Sequence, residues 1–400
     1  MAITSLINPS GNPSLHDSMW HIATSSNVNN SNFKFVFDLH DPNGMQYSRT
    51  KIFPDPNTAK GYFDSAAIMR NTISIDWFEP SNNFVTAIPN TSGQIGKEYQ
   101  IRVGEEYTSG GVILTDINMT NANCSGFNYF PRLFNNLPGE NLKIRPDDFQ
   151  SNRPRYNSKV PYGTRVIMMP FYAPNGITGE VEIFQPNSKK NLSWPNPDIS
   201  FTVAASGSRF YQLNMSPTGL FAFNTQDFDF PKDGRFIVKL NNKPFELIWD
   251  CQPQHTPILL HFVNAYGMFE TVSFNLVNKL NMKVGRKAYN QDGLTYGNTS
   301  VDKYRTSSVH AGIVYNETKI NYVQNVDWTY KLMMEAPTDA EYVWLAELIF
   351  SPLIYMQLGE NFYPVTITNS TYEYSKQVYN KLRNLEIEVE LNQSRRGISR

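Results

Sequence analysis

Apolar positions along this chain recur mostly with a period of two. The clearest case is Leu385-Glu-Ile-Glu-Val-Glu-Leu391, which places Leu385, Ile387, Val389 and Leu391 on one face and three glutamates on the other. Successive side chains of a strand point to opposite faces, so this segment reads as a half-buried strand with one solvated side. Strand signals also cover Phe33–Leu39, Thr72–Trp77, Tyr99–Val103, Gly111–Ile117, Arg165–Met169, Gly179–Phe184 and Ser200–Ala204. Later ones cover Thr318–Val323, Val326–Met333 and Tyr363–Ile367. Gly234–Leu240 and Pro244–Trp249 flank Asn241-Asn242-Lys243 and predict a hairpin. Ile258–Val263 and Phe269–Val277 read as two apolar strands meeting at Gly267.

The helical period is clear over 338–350. Thr338 and Glu341 have the spacing of a capping box. Val343, Trp344, Leu348 and Ile349 supply an apolar stripe, with Glu341 and Glu347 expected off it. Pro352 blocks continuation. Asp64 is placed to cap a short helix through Met69.

These elements divide the chain. Residues 1–32 are polar, with Ser25–Asn32 the extreme, and are expected to form an extended N-terminal arm ordered by a neighbour. A β domain follows over 33–118. Residues 119–160 follow no period and are expected to be an irregular connection, with Arg145-Pro-Asp-Asp148 starting a single helical turn. A second β domain covers 161–279, and a β-rich C-terminal domain with the helix covers 280–400. Short strands with turns every 8–12 residues or so suggest sandwiches or barrels. The expected fold is therefore mainly β: two to three antiparallel sandwich- or barrel-like domains, one short C-terminal helix and extended arms. The 26 Phe and 22 Tyr suit pleated, half-buried surfaces, and the 25 Pro and 23 Gly imply frequent turns.

Charge narrows the function classes. Lys and Arg number 35 against 36 Asp and Glu, a net charge of −1, which argues against a phosphate-binding surface spread over the whole protein. Cys124 and Cys251 lie far apart and are read as reduced structural thiols. The first residues show no basic region followed by an apolar run, so no signal peptide is expected. No stretch approaches the ~20 apolar residues of a membrane-spanning helix.

Candidate chemistry is sparse. Asp227 and Asp229 would share one side of a strand, and paired carboxylates can run glycosidic acid–base chemistry. Alternation alone explains them as a solvated face beside Phe228 and Phe230, and that reading is preferred. Asp147 and Asp148 are adjacent, diverge, and fit the start of a helix. The histidines at 16, 21, 40, 255, 261 and 310 form no metal-ligand spacing; His261, in an apolar strand, reads as a hydrogen-bonded core histidine. Gly93-Gln-Ile-Gly96-Lys97 lacks the spacer and the Ser/Thr of a phosphate loop. No catalytic, cofactor-binding or metal-binding residue is assigned, no cofactor is expected, and the chain is read as a non-enzyme. Its tyrosines and asparagines suit sugar stacking or subunit interfaces, and interfaces are preferred. Arg395, Arg396 and Arg400 make a basic end suited to an acidic neighbour or to solvent.

Six ordered segments carry a resemblance. They are Met19-Trp20 with Asn32–Asp38; Phe53–Pro56 with Gly61–Ser65; Gly104–Tyr107; Leu260–Gly267 with Phe269 and Phe274; Trp344–Leu348 with Ser351-Pro352, Tyr355 and Tyr363–Ile367; and Asn384–Leu391 with Arg395. Together they resemble virion structural proteins of crAss-like short-tailed bacteriophages of Bacteroidales. Phe262 and Met268 stand where that family has a tryptophan and a second glycine. The resemblance implies a neck or tail ring protein around the portal-to-tail axis. It would be a cyclic homo-oligomer partnered by portal, tail-ring or tail-hub proteins and assembled in the host cytoplasm. It implies no membrane partner, DNA contact at most in transit through a lumen, and no catalytic residues. The alternative is a carbohydrate-binding or depolymerising tail protein acting in host adsorption.

Overall fold

The computed structural model describes residues 3–11, 13–77, 79–88, 95–129, 144–156, 158–161, 164, 166–184, 199–204, 210–216, 218–219, 235–250, 255–290, 319–335, 338–368, 385–392 and 395–396. The fold is mainly β, built from five sheets in three lobes.

In the N-terminal lobe, β1 (Ile3–Ile7), β2 (Trp20–Ser25) and β5 (Gly61–Asp64) form an antiparallel sheet. It shares one core with a second sheet, ordered β4-β3-β7-β8, made of β3 (Ser31–His40), β4 (Gln46–Ile52), β7 (Gly96–Ser109) and β8 (Val112–Phe127). Phe33, Phe35, Phe37 and Leu39 alternate inward from β3 and meet Tyr99, Ile101 and Val103 of β7, with Ala23 and Phe63 opposite. The expected arm is thus a structural strand pair. Its apolar positions Ile3, Leu15, Met19 and Ala23 bury in the core shared with β3, β5 and β7. The short helix Ala66–Arg70 follows Ser65, and Asp64 Oδ1 accepts from the backbone N–H groups of Met19 and Ala66 at 2.9 and 3.0 Å.

The middle lobe is a sandwich of four strands on five. One sheet runs β6-β14-β11-β9, with β6 (Val85–Ala87), β9 (Asp148–Phe149), β11 (Met168–Tyr172) and β14 (Phe210–Asn214). The other runs β10-β16-β15-β12-β13, with β10 (Ser158–Pro161), β12 (Ile177–Phe184), β13 (Ile199–Val203), β15 (Arg235–Leu240) and β16 (Lys243–Asp250). Their inner faces share Phe149, Met169, Phe171, Leu213, Phe236, Val238, Phe245 and Trp249. Asn241 and Asn242 sit at φ 47° and 61°, the left-handed pair that a two-residue hairpin turn needs. All neighbours here are antiparallel except β10 and β16. The expected irregular stretch 119–160 holds the end of β8 as well as β9 and β10, and Arg145–Asp148 forms a turn into β9 rather than a helical turn.

The C-terminal lobe is one sheet ordered β18-β17-β21-β22-β23-β20-β19. Its strands are β17 (Ile258–Val263), β18 (Phe269–Phe274), β19 (Lys279–Asn290), β20 (Lys319–Met334), β21 (Ile354–Leu358), β22 (Asn361–Ile367) and β23 (Leu385–Leu391). A short β24 (Arg395–Arg396) pairs with β20. The helix Asp339–Phe350 packs on this sheet through Tyr342, Trp344, Leu345 and Leu348. Its capping box forms as predicted: Thr338 Oγ1 accepts from Glu341 N–H, and Glu341 Oε2 accepts from Thr338 N–H at 2.8 Å. Since β17 and β18 belong here, this lobe begins near 258 rather than 280. The segments expected as strands at 318–323 and 326–333 are one continuous strand.

Two satellite clusters seal the lobes together. One joins Ile88, Phe127, Tyr129, Tyr172, Phe210, Tyr266 and Met268; the other joins Val166, Met168, Val263 and Phe269. Thr72–Trp77 is not a strand; it delivers Trp77, whose ring lies 4.0 Å from that of Tyr355 and 5.1 Å from that of Phe269.

Candidate functional site

A buried group of ionisable side chains lies where the middle and C-terminal lobes meet. Two carboxylates and a guanidinium form it, delivered by separate elements. Glu270 comes from β18, Glu347 from the helix, and Arg153 from the chain between β9 and β10. All three are buried, Glu270 completely. The apolar stripe expected for the helix left Glu347 outside; in the structure Glu347 turns inward with Trp344 and Leu348.

Each carboxylate oxygen has a donor. Ser151 Oγ donates to Glu270 Oε1 at 2.6 Å, and Asn264 Nδ2 to Oε2 at 3.1 Å. Asn152 Nδ2 donates to Glu347 Oε1 at 2.7 Å, and the Ala265 N–H to Oε2 at 2.8 Å. Arg153 donates to Ser158 Oγ and the Thr271 carbonyl, and its guanidinium lies 4.7 Å from the centre of the Trp344 ring. Burial, then the charge of Glu270, push the Glu347 carboxyl up to about 8. Burial raises Glu270 as well, opposed by the Ser151 hydrogen bond and the Arg153 charge. The Arg153 charge offsets part of the cost of burying carboxyl groups here.

The β17–β18 turn holds this arrangement. Gly267 sits at φ +77°, and a Cβ there would stand 2.0 Å from the Asn128 carbonyl oxygen, so the turn needs glycine. Tyr266 donates to Asn152 Oδ1 at 3.2 Å and accepts from Arg145 at 2.7 Å. Asp148, also buried, collects Arg155 at 2.8 Å, Lys243 at 3.4 Å and Arg145 at 3.8 Å. It is an ion-pair centre rather than the helix feature expected.

His261 is the core histidine its sequence context implies. Its Nε2 lies 3.0 Å from Gln357 Oε1 and its Nδ1 2.9 Å from Thr271 Oγ1. Gln357 Nε2 donates to the Gly359 carbonyl, which fixes Oε1 as acceptor and places the histidine proton on Nε2. Burial pushes His261 down to about 4, so it is neutral above that.

Pairs of perturbed carboxylates mark acid–base sites when a substrate can reach them. Here every carboxylate oxygen already holds a donor and the groups are shut from solvent. The arrangement can lock three chain segments in one geometry, and a satisfied buried network does that well. An open cleft of about 410 Å³ lies elsewhere, on the N-terminal lobe, lined by Tyr99, Gln100, Asn123 and Cys124 among others. Burial pushes the Cys124 thiol up to about 11, which makes it a poor nucleophile. Among the described residues no group of three His, Cys, Asp or Glu is placed to hold a metal ion. His255 is exposed at the start of the C-terminal lobe. Asp227, Asp229, Cys251, Gly93 and Arg400 lie outside the described residues; Gly96 and Lys97 open β7, and Arg395 and Arg396 form β24.

Sequence reasoning missed Arg153, Glu270 and Glu347. A signal was present: Glu270 is the lone charge in an apolar strand, and Glu347 follows Trp344 by three residues, the spacing of one helix face.

The surface differs in character from the junction. Val112, Ile113 and Leu114 stand exposed just after the β7–β8 turn. Leu280, Met282 and Tyr289 are about half exposed along β19, which continues past β23 as a ribbon paired with β20. No protein-family model matches the chain, and no curated protein matches it either.

Proposed function

We propose that this chain is a structural component of a tailed-phage virion, a neck or tail ring protein working as a cyclic homo-oligomer around the portal-to-tail axis. The observation that carries the reading is the contrast between interior and edge. The perturbed ionisable groups are hydrogen-bonded to neutral side chains and backbone inside a sealed junction, whereas apolar side chains stand in the open at the start of β8 and along β19. Exposed apolar patches on a rigid body mark association surfaces. The two patches lie in different lobes, so they suit a head-to-tail contact, the kind that closes into rings.

The segments behind the phage resemblance support an architectural role. Phe33–Phe37, Leu260–Gly267 and Trp344–Leu348 supply core and junction positions, so a shared pattern there is a shared scaffold. Two measurements test the reading. Native mass spectrometry with negative-stain imaging of the purified chain is expected to show a discrete ring. Proteomics of purified phage particles is expected to find the chain, and particles lacking it would end the proposal. Saturable binding to capsular polysaccharide, abolished by Asp227→Asn with Asp229→Asn, would instead favour the adsorption reading.

A further inference from the structure

We infer that the open edge of β19 is a docking strand for an extended segment of another polypeptide in which apolar and acidic residues alternate. The inference deepens the assembly reading above and rests on it for its setting; its physical grounds are independent.

Register supplies the first ground. β19 is the last strand of its sheet, paired with β20 on one side, and among the described residues nothing pairs with its other side. A strand edge of this kind is a row of unsatisfied backbone donors and acceptors, the template for strand addition. The exposed stretch from Lys279 to Lys287 is about 27 Å long at the usual rise per residue. Proteins blunt such edges with a short strand, a proline, a bulge, a cover or charged side chains; the lysines of β19 bar pairing with a second copy of this edge but not with an acidic strand. β19 is twelve residues long and contains no proline.

The two faces of β19 supply the second ground. Leu280, Met282 and Val284 lie opposite Tyr330, Trp328 and Val326 and extend the apolar side of the sheet beyond the helix. Leu280 and Met282 remain 50% and 57% exposed. The other face carries Lys279, Lys283 and Lys287 opposite Lys331, Asp327 and Val323. Strand β19 has no acidic residue. Among the described residues, Lys279, Lys283, Arg286 and Lys287 make no ion pair.

The same sheet shows the complement. On β23, Leu385, Ile387 and Val389 face the core while Glu386, Glu388 and Glu390 face out, and Lys331 pairs with Glu386 and Glu388. One row runs Glu388, Lys331, Lys279. Lys331 is already occupied, so the next opposite charge has to come from beyond Lys279. An incoming strand with apolar residues on the inner face and carboxylates on the outer face would satisfy both sides of β19. Nucleic acid would satisfy the lysines and leave Leu280 and Met282 wet.

The test uses the full-length protein and a fluorescent peptide repeating Leu-Glu-Ile-Glu-Val-Glu. Controls are a permuted peptide of the same composition, oligothymidine, and vesicles of phosphatidylglycerol with phosphatidylcholine. Exchange of the alternate amides between Leu280 and Lys287 that point away from β20 is expected to be fast in the free protein and slowed by the alternating peptide. Affinity is expected to fall about tenfold for the permuted peptide and for the surface variant Lys283→Glu/Lys287→Glu. That variant should gain affinity for the matching peptide with lysine in place of glutamate. Three results would overturn the inference: the outward-pointing β19 amides already protected in the free protein, equal binding of the permuted peptide, or stronger protection by oligothymidine or vesicles. A phage particle without this chain would end the proposed function and leave the docking result standing. A ring-forming chain with β19 protected would do the reverse.

Discussion

Raising the pH should loosen the junction between the middle and C-terminal lobes, and Glu347 sets the size of the effect. Its carboxyl is raised from an ordinary 4.5 to about 8 in the folded chain. A raised acid stabilises the fold below its unfolded value, and that contribution disappears as pH climbs through the folded value. At about 1.4 kcal/mol per pH unit, the span from 4.5 to about 8 amounts to about 5 kcal/mol, of which about 2 kcal/mol falls above pH 6.5. The buried histidines act in the opposite sense. His21 and His261 are both lowered from 6.5 to about 4, so their contributions are complete above 6.5 and are lost as pH falls through 4. Stability should therefore peak near pH 6.5 and fall on both sides. Glu347→Gln is the diagnostic variant. It is neutral at every pH, and turning over the Asn152 amide gives its new donor an acceptor while Asn152 still reaches Tyr266. Thermal melts from pH 5 to 9 are the assay. The parent protein should lose roughly 4–8 °C of Tm above pH 6.5, and the variant should be nearly flat there. Parallel curves for the two proteins would refute the assignment of the alkaline loss to Glu347.

Further expectations follow from single positions. Gly267→Ala must place a Cβ 2.0 Å from the Asn128 carbonyl oxygen at φ +77°, and should cost at least about 2 kcal/mol in urea unfolding; a cost near zero would mean the turn relaxes freely. Thr338→Ala removes the capping-box hydroxyl and should cost about 1 kcal/mol, read from the same curves. Leu345→Ala empties a fully buried site under the helix and should cost about 2–5 kcal/mol. Cys124, in a Cys251→Ser background, should react slowly with iodoacetamide at pH 8 and speed up about tenfold per pH unit until about 11. Labelling as fast as in the unfolded chain would contradict its raised value.

What could be read from the sequence was what neighbours along the chain decide. The Asn241-Asn242 hairpin, the Thr338 capping box and the Leu385–Leu391 alternation are local devices, and all three form as read. Features that depend on distant partners escaped. The polar first segment contains few apolar positions; β1 and β2 pair within it, and Gly61–Asp64 arrives from later in the chain as the third strand. Strands β10 and β16 pair in parallel across most of the middle lobe, which no local turn signals. Glu347 belongs by type on a solvated helix face; its amide partner Asn152 lies 195 residues away. Periodicity places a residue on a face, but the identity of the opposing surface decides whether a carboxylate can stay there.

The strand β6 has a consequence for synthesis. Val85–Ala87 is made with the N-terminal lobe, yet its partner Leu213–Tyr211 belongs to the middle lobe. Phe210 follows Ala87 by 123 residues (210 − 87), so at the usual pace of translation β6 waits roughly 6–25 s for the edge it completes. During that interval the N-terminal lobe can close on its own core while a short apolar strand trails from it unpaired. The order of emergence from the ribosome thus makes the middle lobe fold onto a tether already anchored, its sheet completed by a strand made with the other lobe.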